Sequence, residues 1–214
     1  MRIALINEDS QADKNELIFD TLTAVAGKYG HTVDNYGMYS ENDEHTVNYI
    51  QVGILASILL ETQMADFVVT GCGTGQGAMI SCNAFANVVC GYASAPLDAY
   101  LFSQINAGNA ISIPFAQQFG WGSEVNLSML FEHLFAQPFG GGYPRKYADE
   151  ESVSRVRMRT DIKERAQKDV LSALEALDRE DLKKLLQYPM FTERFQQSAQ
   201  DGPVRTFIEA LLSQ

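Results

Sequence analysis

The chain has 214 residues, enough for one domain with an appendage or for two small domains, and 46% of them are hydrophobic, which suffices for a buried core. Its formal net charge of −11 argues against a nucleic-acid partner. The first residues show no basic start, no long apolar segment and no cleavage-type sequence. We therefore expect a cytoplasmic protein without a membrane partner.

Short apolar runs alternate with helical patterns through the first two thirds of the chain. Apolar residues at helical spacing fill the intervals between the runs. The runs predict strands over Ile3–Ile6, Thr32–Tyr36, Phe67–Thr70, Val88–Tyr92 and Ala110–Ile113. This alternation predicts a Rossmann-like three-layer α/β/α fold with a five-stranded parallel sheet.

The last third of the chain is charged and helical. A triple glycine at residues 140–142 marks a domain edge, so we predict an α/β domain over 1–146 and a helical C-terminal extension over 147–214. From Ser152 to Leu177 the apolar residues keep close to helical spacing, which predicts one helix of about seven turns. A further helix is expected to end at Pro189.

The run Thr70–Gly77 is the strongest candidate site. It contains four glycines in eight residues and lies between the third predicted strand and a helix, so several backbone N–H groups are free to face an anion. Cys72 and Thr74 lie inside the run, where they can move a proton beside a developing negative charge. A tight turn that buries a small cysteine is the alternative interpretation.

In open parallel sheets the ligand binds at the carboxyl ends of the strands. We place Glu8 and Asp9 at this edge after the first strand, together with the turn of residues 106–109 before the fifth strand. For Glu8 and Asp9 the alternative is a solvated loop that caps the next helix.

Basic residues are distributed unevenly. Before Arg145 the chain contains only Arg2, Lys14 and Lys28, and none of these falls in a loop that we place at the carboxyl edge. An anionic group must then be bound by backbone amides, by Arg145 and Lys146, or by later arginines, including those of another subunit.

Three cysteines, an odd number, predict free thiols rather than a disulfide framework. Cys72, Cys82 and Cys90 lack the paired spacing of a zinc site, and the three histidines are scattered. We therefore expect no metal site and no cofactor.

The segment Phe67–Gly77, continued by Ser81-Cys82-Asn83-Ala84, resembles the signature of the ribose-5-phosphate isomerase B and galactose-6-phosphate isomerase family. The order of elements matches that family over about residues 1–146. The resemblance implies that Cys72 takes the proton next to a sugar carbonyl and that the loop amides hold the enediolate. It further implies roles for the following residues: Thr74 as partner of the thiol, Gly73, Gly75 and Gly77 as points of close backbone approach, and Asn106 as a substrate contact.

The sequence departs from the family pattern at three places. Glu8-Asp9 replaces an Asp-His pair, and Ser10-Gln11 replaces a small-Gly step. Ile105 occupies the position of the histidine that opens the sugar ring. Arg145 and Lys146 lie near the family's phosphate-binding arginines, although with different spacing.

The resemblance implies an aldose–ketose isomerase of a sugar phosphate, with Glu8 or Asp9 orienting substrate hydroxyls. One alternative is an isomerase or epimerase of a non-phosphorylated sugar or sugar acid, favoured by the shortage of early cations. Another is a non-catalytic sugar- or nucleotide-binding module. A flavodoxin-like or dinucleotide-binding protein is disfavoured because the glycine loop follows the third strand. The charge distribution also predicts a homodimer or larger homo-oligomer in which one subunit completes the site of another.

Overall fold

The computed structural model describes residues 1–117, 119–148 and 150–213. Within these residues five strands form one parallel sheet in the order β2-β1-β3-β5-β4. The strands are β1 (Arg2–Ile6), β2 (Thr32–Asn35), β3 (Phe67–Cys72), β4 (Cys90–Tyr92) and β5 (Ala110–Pro114).

Helices cover both faces of the sheet. One face packs against α1, α4 and α5, and the other packs against α2 and α3. The helices are α1 (Asn15–Lys28), α2 (Gln51–Glu61), α3 (Gln76–Asn83), α4 (Pro96–Leu101), α5 (Ser123–Phe135), α6 (Glu150–Ala166), α7 (Val170–Glu175), α8 (Arg179–Leu186), α9 (Pro189–Ser198) and α10 (Pro203–Leu212). Short 3-10 turns cover Asp9–Lys14 and Arg145–Tyr147, and a π-helical turn covers Phe102–Asn106.

The apolar character of the central strands follows from this layering. Every residue of β3 and β5 is buried, because each strand has neighbours on both sides and helices on both faces. The expected three-layer α/β/α fold with a five-stranded parallel sheet is confirmed.

The strand order creates one crevice at the carboxyl edge of the sheet. From β1 the chain moves to β2 on one side, and it then returns to β3 on the other side of β1. The loops that follow β1 and β3 therefore diverge, which is where open α/β sheets bind their ligands.

The C-terminal helices extend the core over α2. Leu182, Phe191 and Ile208 are buried in the same apolar cluster as Val52 and Leu55 of α2. The division of the chain at residue 146 stays a prediction.

The long helix expected from Ser152 to Leu177 is wrong. Helix α6 ends at Ala166, and α7 starts after Asp169, whose carboxylate accepts hydrogen bonds from the backbone N–H of Ser172 at 2.9 Å and from its hydroxyl at 2.7 Å. The preceding helix, α8, ends at Leu186, shortly before Pro189 as expected, and Pro189 itself begins α9 because proline is well accommodated in a first helical turn. In the part of the chain that the structure describes, no helix combines the length and apolarity needed to span a bilayer.

Candidate active site

The loops after β1, β3 and β5 meet at the crevice. Ile6 pairs with Thr70 and Cys72 pairs with Pro114, so these three strands end side by side. Cys72 is the last residue of β3, two residues beyond the predicted end of the strand. A Cβ on Gly71 would lie 2.2 Å from Ile113 O and 2.5 Å from the Phe115 ring, so the pairing of this end of β3 with β5 requires a glycine there.

The loop from Gly73 to Gly75 leaves two of its three amides free at the crevice. The third, Gly75 N, donates to Cys72 O at 3.1 Å, while Gly73 O accepts from Ala116 N at 3.0 Å and Gly75 O accepts from the Ser112 hydroxyl at 2.6 Å. Within the described residues, the N–H groups of Gly73 and Thr74 have no acceptor. Two free donors beside a thiol are suited to stabilising an oxyanion.

Cys72 and Thr74 lie side by side at this loop. The Cys72 Sγ lies 4.0 Å from the Thr74 Oγ1, and the thiol is 7% exposed. Thr74 is exposed, and its hydroxyl accepts from Gln76 N at 3.4 Å, which leaves its proton for the thiol or a ligand. The sequence therefore placed both residues correctly at one edge.

The glycines of the loop differ in what they make room for. A Cβ on Gly75, whose φ is +72°, would lie 2.9 Å from both Pro114 N and the Tyr92 ring. A Cβ on Gly77 would lie 2.8 Å from the Tyr49 ring. At Gly73, by contrast, no protein atom would come closer than 3.6 Å. Gly75 and Gly77 are thus required by packing, whereas a Cβ on Gly73 would make only ordinary contacts.

Gly71 and Gly73 differ in the same way, and this predicts different outcomes for their alanine substitutions. Gly71→Ala should lower the free energy of unfolding by about 2 kcal/mol or more, because its Cβ would lie 2.2 Å from Ile113 O. Gly73→Ala should leave unfolding nearly unchanged and weaken substrate binding. Urea titrations of both variants measure the difference, and equal destabilisation would show that Gly73 is also a packing residue.

The segment after β1 forms the second wall of the crevice. Glu8 is 2% exposed, and its carboxylate accepts from the Ser10 hydroxyl at 2.6 Å and from Ser10 N at 3.1 Å. Asp9 is exposed, and its backbone N–H donates to Val47 O at 2.8 Å. Both carboxylates lie at the expected edge, and the Glu8 carboxylate positions Ser10.

Burial raises the pKa of Glu8, with a further contribution from Asp9, against the hydrogen bonds from Ser10 that lower it. The folded protein therefore holds the Glu8 proton more tightly than the unfolded chain, and stability falls as pH rises through the folded pKa. Below the ordinary value of 4.5 both states are protonated and this effect vanishes.

We accordingly expect Glu8→Gln to be more stable than the wild type at pH 7–8 and equally stable near pH 4. Thermal unfolding over this range measures the difference, with Asp9→Asn as a control for the loss of one exposed charge. A stability difference that does not change with pH would contradict the shift of the Glu8 pKa.

The predicted substrate residues Asn106, Arg145 and Lys146 lie at the amino edge of the sheet, opposite the glycine loop. Asn106 precedes β5, whose first residue, Ala110, pairs with Val68 near the start of β3. The amino end of β5 at Ala110 and its carboxyl end at Pro114 are four residue steps of about 3.3 Å apart, or roughly 13 Å. The expectation that the turn of residues 106–109 joins the glycine loop within one chain is wrong, because residues that precede a parallel strand lie at its amino end.

Arg145 and Lys146 follow a segment that is bound to this amino edge. Gly140 N donates to Ser103 O at 2.8 Å, and Gly142 N donates to Gln104 O at 2.9 Å. Arg159 of α6 also reaches this edge, where it donates to Asn106 O at 2.5 Å. The chain thus carries Asn106, Arg145 and Lys146 as one group, away from Cys72.

Two residues at the carboxyl edge were missed by the sequence analysis. Gln11 Nε2 would lie 3.6 Å from a Cβ on Gly73, and Lys14 Nζ contacts Gln11 Oε1. Lys14 was wrongly excluded from this edge, because the pattern of α1 gave no sign that a 3-10 turn over Asp9–Lys14 extends the loop. The replacement of the family's small-Gly step by Ser10-Gln11 was the one feature of the sequence that indicated a changed loop here.

Comparisons with known proteins identify the family of the chain. The ribose/galactose isomerase family model matches residues 3–145. A crystal structure of a 4-deoxy-L-threo-5-hexosulose-uronate ketol-isomerase complexed with a tartrate is 47% identical, with a TM-score of 0.95 and complete coverage of both chains. A ribose-5-phosphate isomerase from Vibrio parahaemolyticus is 45% identical, with a TM-score of 0.93 and 99% coverage of both.

More distant structures support the fold alone. A ribose 5-phosphate isomerase from Thermotoga maritima is 21% identical, with a TM-score of 0.57, and covers 75% of this chain and 97% of its own. No curated protein sequence matches the chain. The family match and the two whole-length relatives show that the chain belongs to the ribose/galactose isomerase family and is a sugar isomerase, an intramolecular oxidoreductase.

Proposed function

We propose that the protein interconverts an aldose and a ketose through an enediolate. The Cys72 thiolate takes the proton from the carbon beside the carbonyl, and that bond's electron pair moves onto the carbonyl oxygen. The free N–H groups of Gly73 and Thr74 stabilise this oxygen. The proton of the neighbouring hydroxyl passes to this oxygen, and the electron pair left on the hydroxyl oxygen becomes the new carbonyl. The proton held by Cys72 then goes to the former carbonyl carbon, so the substrate is isomerised without net loss of atoms or electrons.

We propose that the substrate is a non-phosphorylated sugar acid that exists as an open chain. The observation that carries this choice is Ile105, an apolar residue where the family has its ring-opening histidine. The compound named for the 47% identical relative has no hydroxyl on C4 and a carbonyl on C5. It therefore lacks both hydroxyls that close five- and six-membered sugar rings, and its isomerase needs no acid for ring opening.

The charges at the carboxyl edge also favour a carboxylate over a phosphate. Glu8 and Asp9 border the crevice, and Lys14 is the one cation there among those that precede Arg145 in the described chain. A dianionic phosphate is usually bound by arginines or by several cations, whereas one lysine with amide donors suits a single carboxylate.

Proton exchange in deuterated water tests this proposal. The protein is incubated with 4-deoxy-5-ketohexuronate, ribose 5-phosphate and a ring-forming hexuronate, and deuterium next to the carbonyl is followed by NMR. We expect the ketouronate to exchange and isomerise at least about 10²-fold faster per unit concentration than the other two. Comparable or faster turnover of ribose 5-phosphate would reject the sugar acid.

Ribose 5-phosphate isomerisation is the second candidate, because a 45% identical relative carries that name. Its phosphate would then depend on Arg145 and Lys146, which lie at the far edge of the same chain. Competitive inhibition by inorganic phosphate would favour this candidate.

We also propose that the enzyme is cytoplasmic and works as a homodimer or larger assembly. The three free thiols Cys72, Cys82 and Cys90 fit a reducing compartment. The separation of Asn106 from Cys72 supports an assembly, because a second copy can bring its amino-edge group to the crevice.

A further inference from the structure

Lys14 differs from the other cations of the sheet portion. Arg2 forms an ion pair with Asp66 at 2.7 Å, and Lys28 forms one with Glu132 at 2.5 Å. In the described residues Lys14 has no carboxylate partner. Its ammonium group contacts Gln11 Oε1 and lies 5.1 Å from the centre of the Phe119 ring.

The contact with Lys14 fixes the orientation of the Gln11 amide. Because the oxygen contacts the ammonium group, the other amide atom is the Nε2 donor, and one of its two protons goes to the Ser10 hydroxyl at 3.0 Å. The same nitrogen is 3.6 Å from the position of a Cβ on Gly73. The Ser10 hydroxyl donates its own proton to Glu8, so Lys14 Nζ and the second Nε2 proton of Gln11 are the donors left for a ligand beside Gly73.

The charges around Lys14 and Gln11 favour a role for this pair in binding an anion. Glu8 is buried and accepts two hydrogen bonds from Ser10, whereas Asp9 is exposed at the same edge, so an acidic substrate that enters there needs a cation to offset Asp9. Lys14 is half-buried between the Phe119 ring and the buried amide of Gln11. Such a cation attracts a ligand more strongly than a fully solvated lysine does, because water competes less for it.

We propose that Lys14 and Gln11 form the subsite for the carboxylate of the substrate, at the end of the sugar chain away from the reacting carbons. This inference rests on the proposed sugar-acid function and names the residues that select it. Lys14 Nζ and Gln11 Nε2 each donate to one carboxylate oxygen, while Gly73 and Thr74 hold the oxygen at the reacting end. The subsite makes Lys14 a specificity residue and leaves the proton transfer to Cys72.

Lys14→Met tests the subsite, because methionine keeps an apolar stem over Phe119 and removes the charge. Two substrates are compared: the 4-deoxy-5-ketohexuronate and its analogue with a CH₂OH group in place of the carboxylate. For the acid we expect kcat/KM to fall about 10- to 100-fold, mainly through KM, as for the loss of one charge-assisted hydrogen bond. For the alcohol we expect little change.

Two control variants accompany the test. Lys14→Arg keeps the charge and should retain most of the activity on the acid. Lys28→Met removes a cation that is paired with Glu132 and should behave as the wild type. Equal losses on both substrates, or no loss on the acid, would overturn the subsite, and unfolding midpoints show whether Lys14→Met is folded.

Binding of tartrate, a dicarboxylate with two hydroxyls, separates this inference from the proposed function. If the wild type does not turn over the ketouronate, the proposed function fails and calorimetric titration with tartrate decides the subsite. A Kd that rises at least about 10-fold in Lys14→Met, but not in Lys28→Met, supports it. An unchanged Kd, or no binding to the wild type, overturns it.

Discussion

Replacing Cys72 with alanine should lower kcat by about 10²- to 10⁴-fold, because general base catalysis contributes about that much. The thiol is the one ionisable proton acceptor on the loop that presents the amides of Gly73 and Thr74. KM should change little, since the amides and the Lys14 subsite remain. Initial rates on the ketouronate and deuterium exchange in the same substrate measure the chemical step.

Cys90→Ala is the matched control for this variant. Cys90 lies on β4, where the adjacent Cys82 thiol and burial hold its pKa well above the usual range, so it is a poor base at neutral pH. Its substitution should cost some stability and little activity. A folded Cys72→Ala enzyme with near wild-type turnover would show that another group takes the proton.

The fold was largely predictable because its main signal is local. Apolar runs of four or five residues, separated by helical spacing, specify a parallel sheet without knowledge of long-range contacts. Strand β3 starts at Phe67 as predicted. Its extension to Cys72 was not predictable in this way, because it depends on the packing of Gly71 against Phe115, a residue 44 positions later in the chain.

The break between α6 and α7 shows the limit of periodicity. The apolar spacing continues through residues 167–169, yet the chain leaves the helix there. Gln167 Nε2 donates to Asn83 O at 3.1 Å, and Asp169 caps α7. A contact with α3 thus decides where α6 ends, and a single sequence does not show such a contact.

The candidate site also contains residues that local sequence predicts and residues whose positions depend on the tertiary structure. Cys72, Thr74 and the glycines were found because the loop carries its own chemistry in consecutive residues. Lys14 was missed, since its place depends on a 3-10 turn that the periodicity of α1 conceals. The position of Asn106 was an error of topology: a residue before a parallel strand lies at the amino edge, whatever its role.

Because Asn106 lies at the amino edge, a site that is shared between two subunits can be tested by mixing variants. If each site takes Cys72 and Thr74 from one subunit and Asn106 from another, then Cys72→Ala and Asn106→Ala damage opposite halves of a site. In a hybrid dimer one site carries both defects and the other carries neither. Random exchange makes about half of the dimers hybrids, so about a quarter of all sites are intact.

We expect a refolded equimolar mixture of Cys72→Ala and Asn106→Ala to show about a quarter of wild-type activity, far above either variant alone. A mixture of Cys72→Ala with Thr74→Val is the matched control. Both of these residues lie on the same loop, so no hybrid site escapes damage and no activity should return. Native mass spectrometry verifies that subunits have exchanged. If verified hybrids of Cys72→Ala and Asn106→Ala remain inactive, or if sedimentation shows a fully active monomer, then Asn106 does not complete the site of a neighbouring subunit.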